Sequence, residues 1–477
     1  MLTAIASVLN STMLHVRLFD IVGQPLDFIF NRCFDGLVVF VETRFRNGDF
    51  GAASDNKDVC RQKHAPSLFS HRRRRQKKRK SKNGKAKSDD DNRIQTTAGR
   101  STTRWLFGAS KVELPILSDF QNQHTCMPPS SSLFAVQDIP GAGRGVLAQQ
   151  NIPADTHVLD SPRPAAHVIF RQYRKEVCAQ CFGYDRGRNL AVRDNTTGKV
   201  FCSDECHEDW IRDEEELGVE AWVALENFVK SKSKAVISTL SQCSVGDKPG
   251  EQAVLSRWKE AEKIASLHRQ VRSVDASEPG QGIKADKGHR RAMQHVCSQP
   301  VDPDILAYLL SGMLSHRQAP KRWDTEVATL AMDPEPYKDN ADLEAHCNAF
   351  LQLVSIVPRG LLQSCTAQVC QTISNASSHN SFGIRAGGED GEEYMGYSLY
   401  PEASYFNHSC LPNISKVRVG RTWQFRMARD VVEGEQLCIT YLGGDEKDLT
   451  VGERRQRLKG VWGFECMCER CRNEHEC

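Results

Sequence analysis

The 477-residue sequence lacks any long apolar run free of charge. Its longest apolar stretch near the N-terminus, residues 26–45, is broken by Asp27, Arg32, Asp35 and Glu42, too costly a set for a bilayer core. The first 16 residues have no positive segment ahead of their apolar part and no cleavage-type ending, which argues against a secretory signal. Arg17 is the only base before Asp20, so a mitochondrial presequence is poorly supported as well. Cysteine is also scarce: 18 residues are too few to build a disulfide scaffold of this length. No repeat of about 20 to 50 residues is visible. Together these absences exclude a membrane protein and favour a reducing, intracellular compartment.

Net charge is nearly absent, with 63 Lys and Arg against 60 Asp and Glu. Its distribution is uneven. Residues 71–87 hold 11 Lys or Arg and no acid, and without them the rest carries 52 bases against 60 acids. The folded remainder is therefore acidic and the basic character local. The segment HRRRRQKKRK fits a nuclear-import signal, a nucleic-acid-adhesive tail or a solvated linker. From about residue 71 to 104 there is little to bury, the composition of disorder. Residues 1 to about 60 are short apolar runs with no assigned role.

Order is expected to resume near Leu133. LFAVQDIP followed by PGAGRGVLAQQNIPADTHVL reads as strand, glycine-rich turn and strand, with Pro140, Gly141, Gly143 and Gly145 as turn formers. Helical spacing follows at Trp210, Leu217, Trp222, Leu225 and Phe228, and at Leu255, Trp258, Ala261, Ile264 and Ala265. Residues 273–298 read as a polar connector. Residues 343–357 and 361–373 are further helix candidates, broken at Pro358. LCITY, residues 437–441, alternates as a strand does.

The cysteines fall into spaced groups. Cys178 and Cys181 are followed, twenty residues on, by Cys202 and Cys206, two short bites on one tetrahedral ion. In a reducing compartment such thiols take zinc, and only one ion is supported here. Cys466, Cys468 and Cys471 form a second group that is one ligand short. A partner distant in sequence must fill the fourth position, with His475 and Cys477 as alternatives by proximity.

HNSFGI (379–384), SYFNHSCLPN (404–413), GEQLCITY (434–441) and FECMCERC (464–471), preceded by GAGRGVLA (141–148), resemble the SET-domain protein lysine methyltransferases in order and spacing. The CAQC and FCSDEC pairs, inserted after the first of these segments, are similar to the SET-and-MYND branch. The resemblance covers residues 133–477. It implies methyl transfer from S-adenosylmethionine to a protein lysine. The cofactor would be held by Gly141, Ala142, Gly143 and Arg144, with Asn380, Ser404, Phe406, Asn407, His408, Tyr441 and Phe464. Tyr441 is the implied catalytic tyrosine, and Phe382 and Trp462 match lysine-channel positions. Cys410 would complete a zinc site with Cys466, Cys468 and Cys471, fastening the C-terminal segment over the channel.

Three departures accompany the resemblance. MYND modules of this branch hold two interleaved zincs, whereas this sequence keeps the ligands of one, which argues against peptide docking by the module. Trp462 stands where relatives carry Tyr, a change expected to alter how many methyl groups fit. The chain ends just past the last zinc cysteine, without the helical-repeat domain of many relatives, so residues 207–350 or the N-terminal tail are expected to capture substrate.

The fold expected is α+β: a β-rich, pseudo-knotted SET core with an inserted zinc finger and a helical insert, a zinc-binding post-SET segment and a disordered basic N-terminal region. The segments are residues 1–132, N-terminal; 133–177, first SET segment; 178–210, single-zinc finger; 211–357, helical insert; 358–445, catalytic core; and 446–477, post-SET. The expected partner is a nuclear, ribosomal or translation protein, histone tails included, with two structural zincs and a nuclear location. Its rivals are a SET-fold chromatin scaffold without catalysis and a nucleic-acid-binding protein led by residues 71–87. No base-stacking aromatics interleave with that run.

Overall fold

A computed structural model gives the structure of the chain and describes strands Val16–Phe19 and Pro25–Phe28 and residues 128–232, 247–273, 286–386 and 393–474. The chain divides into two compact units, Met1–Leu117 and Ser118–Cys477. In the first, β1 (Val16–Phe19) pairs antiparallel with β2 (Pro25–Phe28). The basic run 71–87, with the disorder expected of it, lies outside the described residues, as do His475 and Cys477.

In the second unit, β3 (Phe134–Ile139) and β4 (Gly143–Ala148) form the expected hairpin. Gly141 and Gly143 turn it at φ of 77° and 67°, a left-handed geometry that costs glycine little. Strands β5 (His157–Ser161) and β6 (Ala166–Ile169) follow, then the small hairpin of β7 (Val192–Asp194) and β8 (Lys199–Phe201). After the helices come β9 (Ser381–Arg385), β10 (Tyr394–Leu399), β11 (Asn407–His408), β12 (Ile414–Val419), β13 (Thr422–Met427) and β14 (Gln436–Ile439). They assemble as small sheets ordered β6-β10-β9, β11-β14-β4-β3 and β12-β13-β5. Strand β14 returns parallel to β11, with Asn407 opposite Cys438 and His408 opposite Ile439. Asn413 fixes that return, because its Oδ1 accepts the Cys438 N–H at 2.8 Å and its Nδ2 donates to the Gln436 carbonyl at 2.9 Å.

The helices are α1 (Asp204–Lys230), α2 (Glu251–Ser273), α3 (Lys287–Ser298), α4 (Pro303–Gln318), the single turn α5 (Pro320–Arg322), α6 (Asn340–Ile356), α7 (Ala367–Asn380), α8 (Val451–Trp462) and α9 (Glu469–Asn473). Ser203 caps α1 by accepting the Cys206 N–H, and the helix breaks at Glu215, where φ is 60°. The centre of the insert is α4, almost wholly apolar and, apart from the half-buried Ala307, buried from Ile305 to Leu314 among α1, α6, α7 and β6. A helix with no polar face folds only where neighbours cover all of it. Gly312 permits the closest approach, since a Cβ there would collide with Ile373 Cδ1 on α7.

Two expectations are corrected. The connector 273–298 ends in α3, which buries His289, Met293 and Val296 at helical spacing behind an Asp286 cap. The helix expected from Leu361 starts instead at Ala367: Thr366 caps it by accepting the Val369 N–H, and Arg359–Leu361 is a 3₁₀ turn. Among the described residues no helix is long and apolar enough to cross a membrane.

Candidate active site and metal centres

The first thiol group is built by the β7–β8 hairpin and the start of α1. The Ala179 N–H donates to the Val200 carbonyl at 2.9 Å, and the Cys178 N–H to Gly183 at 2.8 Å, which folds the first pair back toward the hairpin. Cys202 follows β8, and Cys206 sits in the first turn of α1. The four Sγ atoms of Cys178, Cys181, Cys202 and Cys206 lie within 4.8 Å of one another. Cys181 and Cys202 are 3.6 Å apart and Cys202 and Cys206 3.4 Å. A zinc with bonds of about 2.3 Å places tetrahedral sulfurs about 3.8 Å apart, so the donor set fits zinc. The finger docks on the β12–β13 turn, where Arg421 donates to Gln180 Oε1 at 3.1 Å and Arg418 to the Phe182 carbonyl at 3.4 Å.

The second group draws Cys410 from the loop after β11 to Cys466, Cys468 and Cys471 around the start of α9, again with all Sγ atoms within 4.8 Å. Cys410 is 3.9 Å from Cys466 and 3.5 Å from Cys471, the same tetrahedral spacing. Four thiolates on a divalent ion would leave excess negative charge, and arginines of α8 stand where they would offset it. The fully buried Arg454 points Nη2 at Cys471 Sγ, 3.6 Å away, while Arg455 donates to the carbonyls of Cys466 and Cys471 at 3.1 and 3.3 Å.

Tyr441 stands against this cluster, two residues beyond the end of β14. Leu442, Leu458 and three of the cysteines form its buried part, with Tyr441, Trp462, Phe464 and Cys468 packed on them. The Tyr441 ring lies 5.3 Å from Trp462 and 6.2 Å, edge-on, from Phe464. Its hydroxyl donates to the Phe406 carbonyl at 3.0 Å, and its backbone N–H donates to His408 Nδ1 at 2.9 Å. Burial raises the Tyr441 pKa, so the phenol keeps its proton. With that proton committed to Phe406, the lone pairs of the hydroxyl are left to accept. Burial also pushes His408 down to about 4, leaving a neutral ring.

The other candidate residues divide among several tasks. Asn407 Nδ2 donates to the Arg144 carbonyl at 3.2 Å and so ties the glycine turn to β11. The Arg144 side chain lies over the Tyr405 ring and bonds to the Thr329 carbonyl. Open space stands where side chains at Gly141 and Gly143 would be, whereas a Cβ at Gly145 would come 2.7 Å from Asn407 Nδ2 and 2.8 Å from Gln436 Nε2. The Phe406 ring is core, stacked on Phe425 at 5.1 Å, and contributes only its carbonyl to Tyr441. Asn380 is buried and spends its amide on the carbonyls of Ala331 and Ala376, at 2.9 and 2.7 Å. Ser404 Oγ donates to the Tyr400 carbonyl at 2.8 Å. The ring neighbours of Phe382 are Tyr400 and Trp423 instead of Tyr441.

Two polar residues escaped the sequence reading. Gln436 Nε2 is buried beside the glycine turn with no hydrogen-bond partner among the described residues. Lys416 donates to the Thr440 carbonyl at 2.7 Å and lies 5.5 and 5.8 Å from the rings of Phe382 and Trp423. The available signal was the β12 alternation, which turns Ile414, Lys416 and Arg418 to one face.

Residues 143–442 match the SET domain. Potential protein lysine methyltransferase SET6 of Saccharomyces cerevisiae is 28% identical over 375 residues, 72% of this chain and 96% of the relative. Protein-lysine N-methyltransferase SMYD4 of Mus musculus is 26% identical over 251 residues, 51% of this chain and 25% of the relative. Histone-lysine N-methyltransferase SMYD3 of Homo sapiens is 42% identical over 80 residues, 17% of this chain and 18% of the relative.

Proposed function

The chain belongs to the SET-domain family and is a protein-lysine N-methyltransferase, and we propose that it takes its methyl group from S-adenosylmethionine held at the Gly141–Gly145 turn. The turn suits such a group: it has open space over Gly141 and Gly143 and an unpartnered buried donor, Gln436 Nε2, beside Gly145. Arg144, Asn407 and the main chain of the turn would hold the cofactor, which supplies an electrophilic methyl when bound. The remaining work falls to this chain. A lysine amine with a reference pKa near 10.4 costs about 4.6 kcal/mol to deprotonate at pH 7. Walls that exclude water favour the neutral amine, and the rings of Trp462 and Phe464 beside Tyr441 supply such walls. The Tyr441 hydroxyl, its proton held by Phe406, accepts from the amine N–H and so aims the nitrogen lone pair. This donation from Tyr441 to Phe406 is the observation that carries the reading.

The substrate we propose is a nuclear protein, a histone tail or a ribosomal or translation protein, and the zinc clusters are structural. Human SMYD3 is named for histone lysine, which supports the first of these. Residues 71–87 would direct nuclear import. The test is incubation of the full chain with methyl-labelled S-adenosylmethionine and either histone octamers or a whole-cell protein extract. Label on a lysine is expected with wild type and not with Tyr441→Phe, and equal labelling by both would refute the role of Tyr441. Deleting residues 71–87 should move a tagged protein out of the nucleus without lowering its activity in vitro.

A further inference from the structure

We infer that His408 is a positioning residue whose side chain ties Tyr441 to the C-terminal thiolate cluster and does not grip the cofactor. A peptide N–H can only donate, so the 2.9 Å bond from Tyr441 N makes His408 Nδ1 the bare, accepting nitrogen. With Nδ1 bare, the ring proton is left to Nε2, which lies 3.2 Å from Cys410 Sγ. Both ring nitrogens are thereby engaged within the chain, one to the tyrosine backbone and one to a zinc ligand.

The bridge has a structural reason. Pairing of β11 with β14 ends at His408 opposite Ile439, and the Ser409 N–H donates to the Ile439 carbonyl at 2.9 Å. Tyr441 lies beyond that ladder, and the His408 side chain supplies the acceptor for its N–H that a further strand residue would have provided. The same ring packs 5.3 Å from Tyr441 and 6.0 Å from Phe464. At its other end the Nε2–H withdraws charge from the Cys410 thiolate, in the way that outer hydrogen bonds orient and tune metal ligands. The zinc cluster and the catalytic hydroxyl are thus joined through one side chain of five ring atoms.

This inference rests on the methyltransferase reading for the role of Tyr441, and its test includes readouts that do not depend on turnover. The zinc-loaded full chain, labelled with ¹⁵N at histidine, should give a His408 resonance pair with Nδ1 unprotonated and Nε2 protonated. A protonated Nδ1 would overturn the assignment. His408→Phe keeps the ring volume and removes both bonds. It should release zinc from the C-terminal cluster to a chelator about tenfold faster or more and slow single-turnover methyl transfer by about the same factor. S-adenosylmethionine affinity, by calorimetry, should stay within about twofold. His408→Gln, which can accept and donate, should recover part of the zinc retention. Loss of S-adenosylmethionine binding in His408→Phe with unchanged zinc release would show that the side chain holds the cofactor and sink the inference. Should the wild type transfer no methyl group, the tautomer and zinc-release results still decide the bridge, because neither involves substrate.

Discussion

Replacing Cys471 by Ser removes one of the four thiolates that close the C-terminal cluster. Apart from the ligands, the fully buried apolar residues of this cluster are Leu442 and Leu458. Burying two leucines stabilises by about 3–6 kcal/mol, whereas a structural zinc supplies about 10–16 kcal/mol in small zinc-dependent domains. A zinc here would therefore dominate the docking of residues 449–474, and its loss should open that segment while the core around α4 stays folded. Opening it takes Trp462 and Phe464 away from Tyr441 and admits water. If those two rings supply half of the roughly 4.6 kcal/mol needed to present a neutral amine, the methyl-transfer rate falls about fiftyfold. Native mass spectrometry should find one zinc in place of two, limited proteolysis should cut between residues 449 and 474, and single-turnover transfer should show the drop. Cys178→Ser is the control, losing the other ion while sparing that segment from proteolysis. Two zincs or a wild-type rate in Cys471→Ser would refute the reasoning, since the cluster would then be a remote staple.

Tyr441→Phe should lower turnover on the order of a hundredfold with both zincs retained, at a stability cost of about 1–3 kcal/mol because the buried Phe406 carbonyl loses its donor. Trp462→Ala should raise the share of di- and trimethylated lysine in mass spectra of the product, since it removes the indole packed 5.3 Å from the Tyr441 ring. Glu226→Ala should destabilise by about 3–5 kcal/mol in urea titrations, because it strands Arg171 and Arg174, which reach the buried carboxylate at 3.2 and 2.7 Å. Burial alone would raise the Glu226 pKa, but the bonds and charge of Arg174, with the charge of Arg171, overcome it and hold the group below its ordinary value. Its stabilisation is therefore full above the unfolded pKa near 4.3 and lost as pH falls through the lower folded value. Urea midpoints of wild type and Glu226→Ala should converge in strong acid, and a gap that persists there would contradict the pairing.

The sequence made legible what depends on local spacing. The glycine turn at 141–145, the amphipathic faces of α1 and α2, and the paired cysteines are all set by residues within a few turns of one another. The central helix α4 was not legible as a helix, because a segment buried on every side has no polar face and so no 3.6-residue contrast. α3 was masked by its polarity: of its 12 residues His289, Met293 and Val296 are buried, too narrow a stripe to stand out. The Cys410 contribution to the second cluster is non-local by more than fifty residues, and no spacing rule chooses it over His475 or Cys477. The resemblance chose it, and the Sγ distances agree.

The site itself is encoded more tightly than its motif suggests. In an extended backbone successive side chains alternate in direction, so residues two apart share a side and neighbours do not. Across residues 407–410, Asn407 reaches the glycine turn at Arg144, whereas His408 and Cys410 turn together toward the thiolates. His408 ends β11 and Cys410 lies in the bend that follows, and there the imidazole meets the thiol at 3.2 Å, away from the contact that Asn407 makes with Arg144. The parallel return of β14 then sets Tyr441 within reach of the free ring nitrogen. Disturbing the metal should therefore reach the tyrosine through His408 before it reaches the cofactor through Asn407, which is the order of effects that zinc release and calorimetry on the same variant would separate.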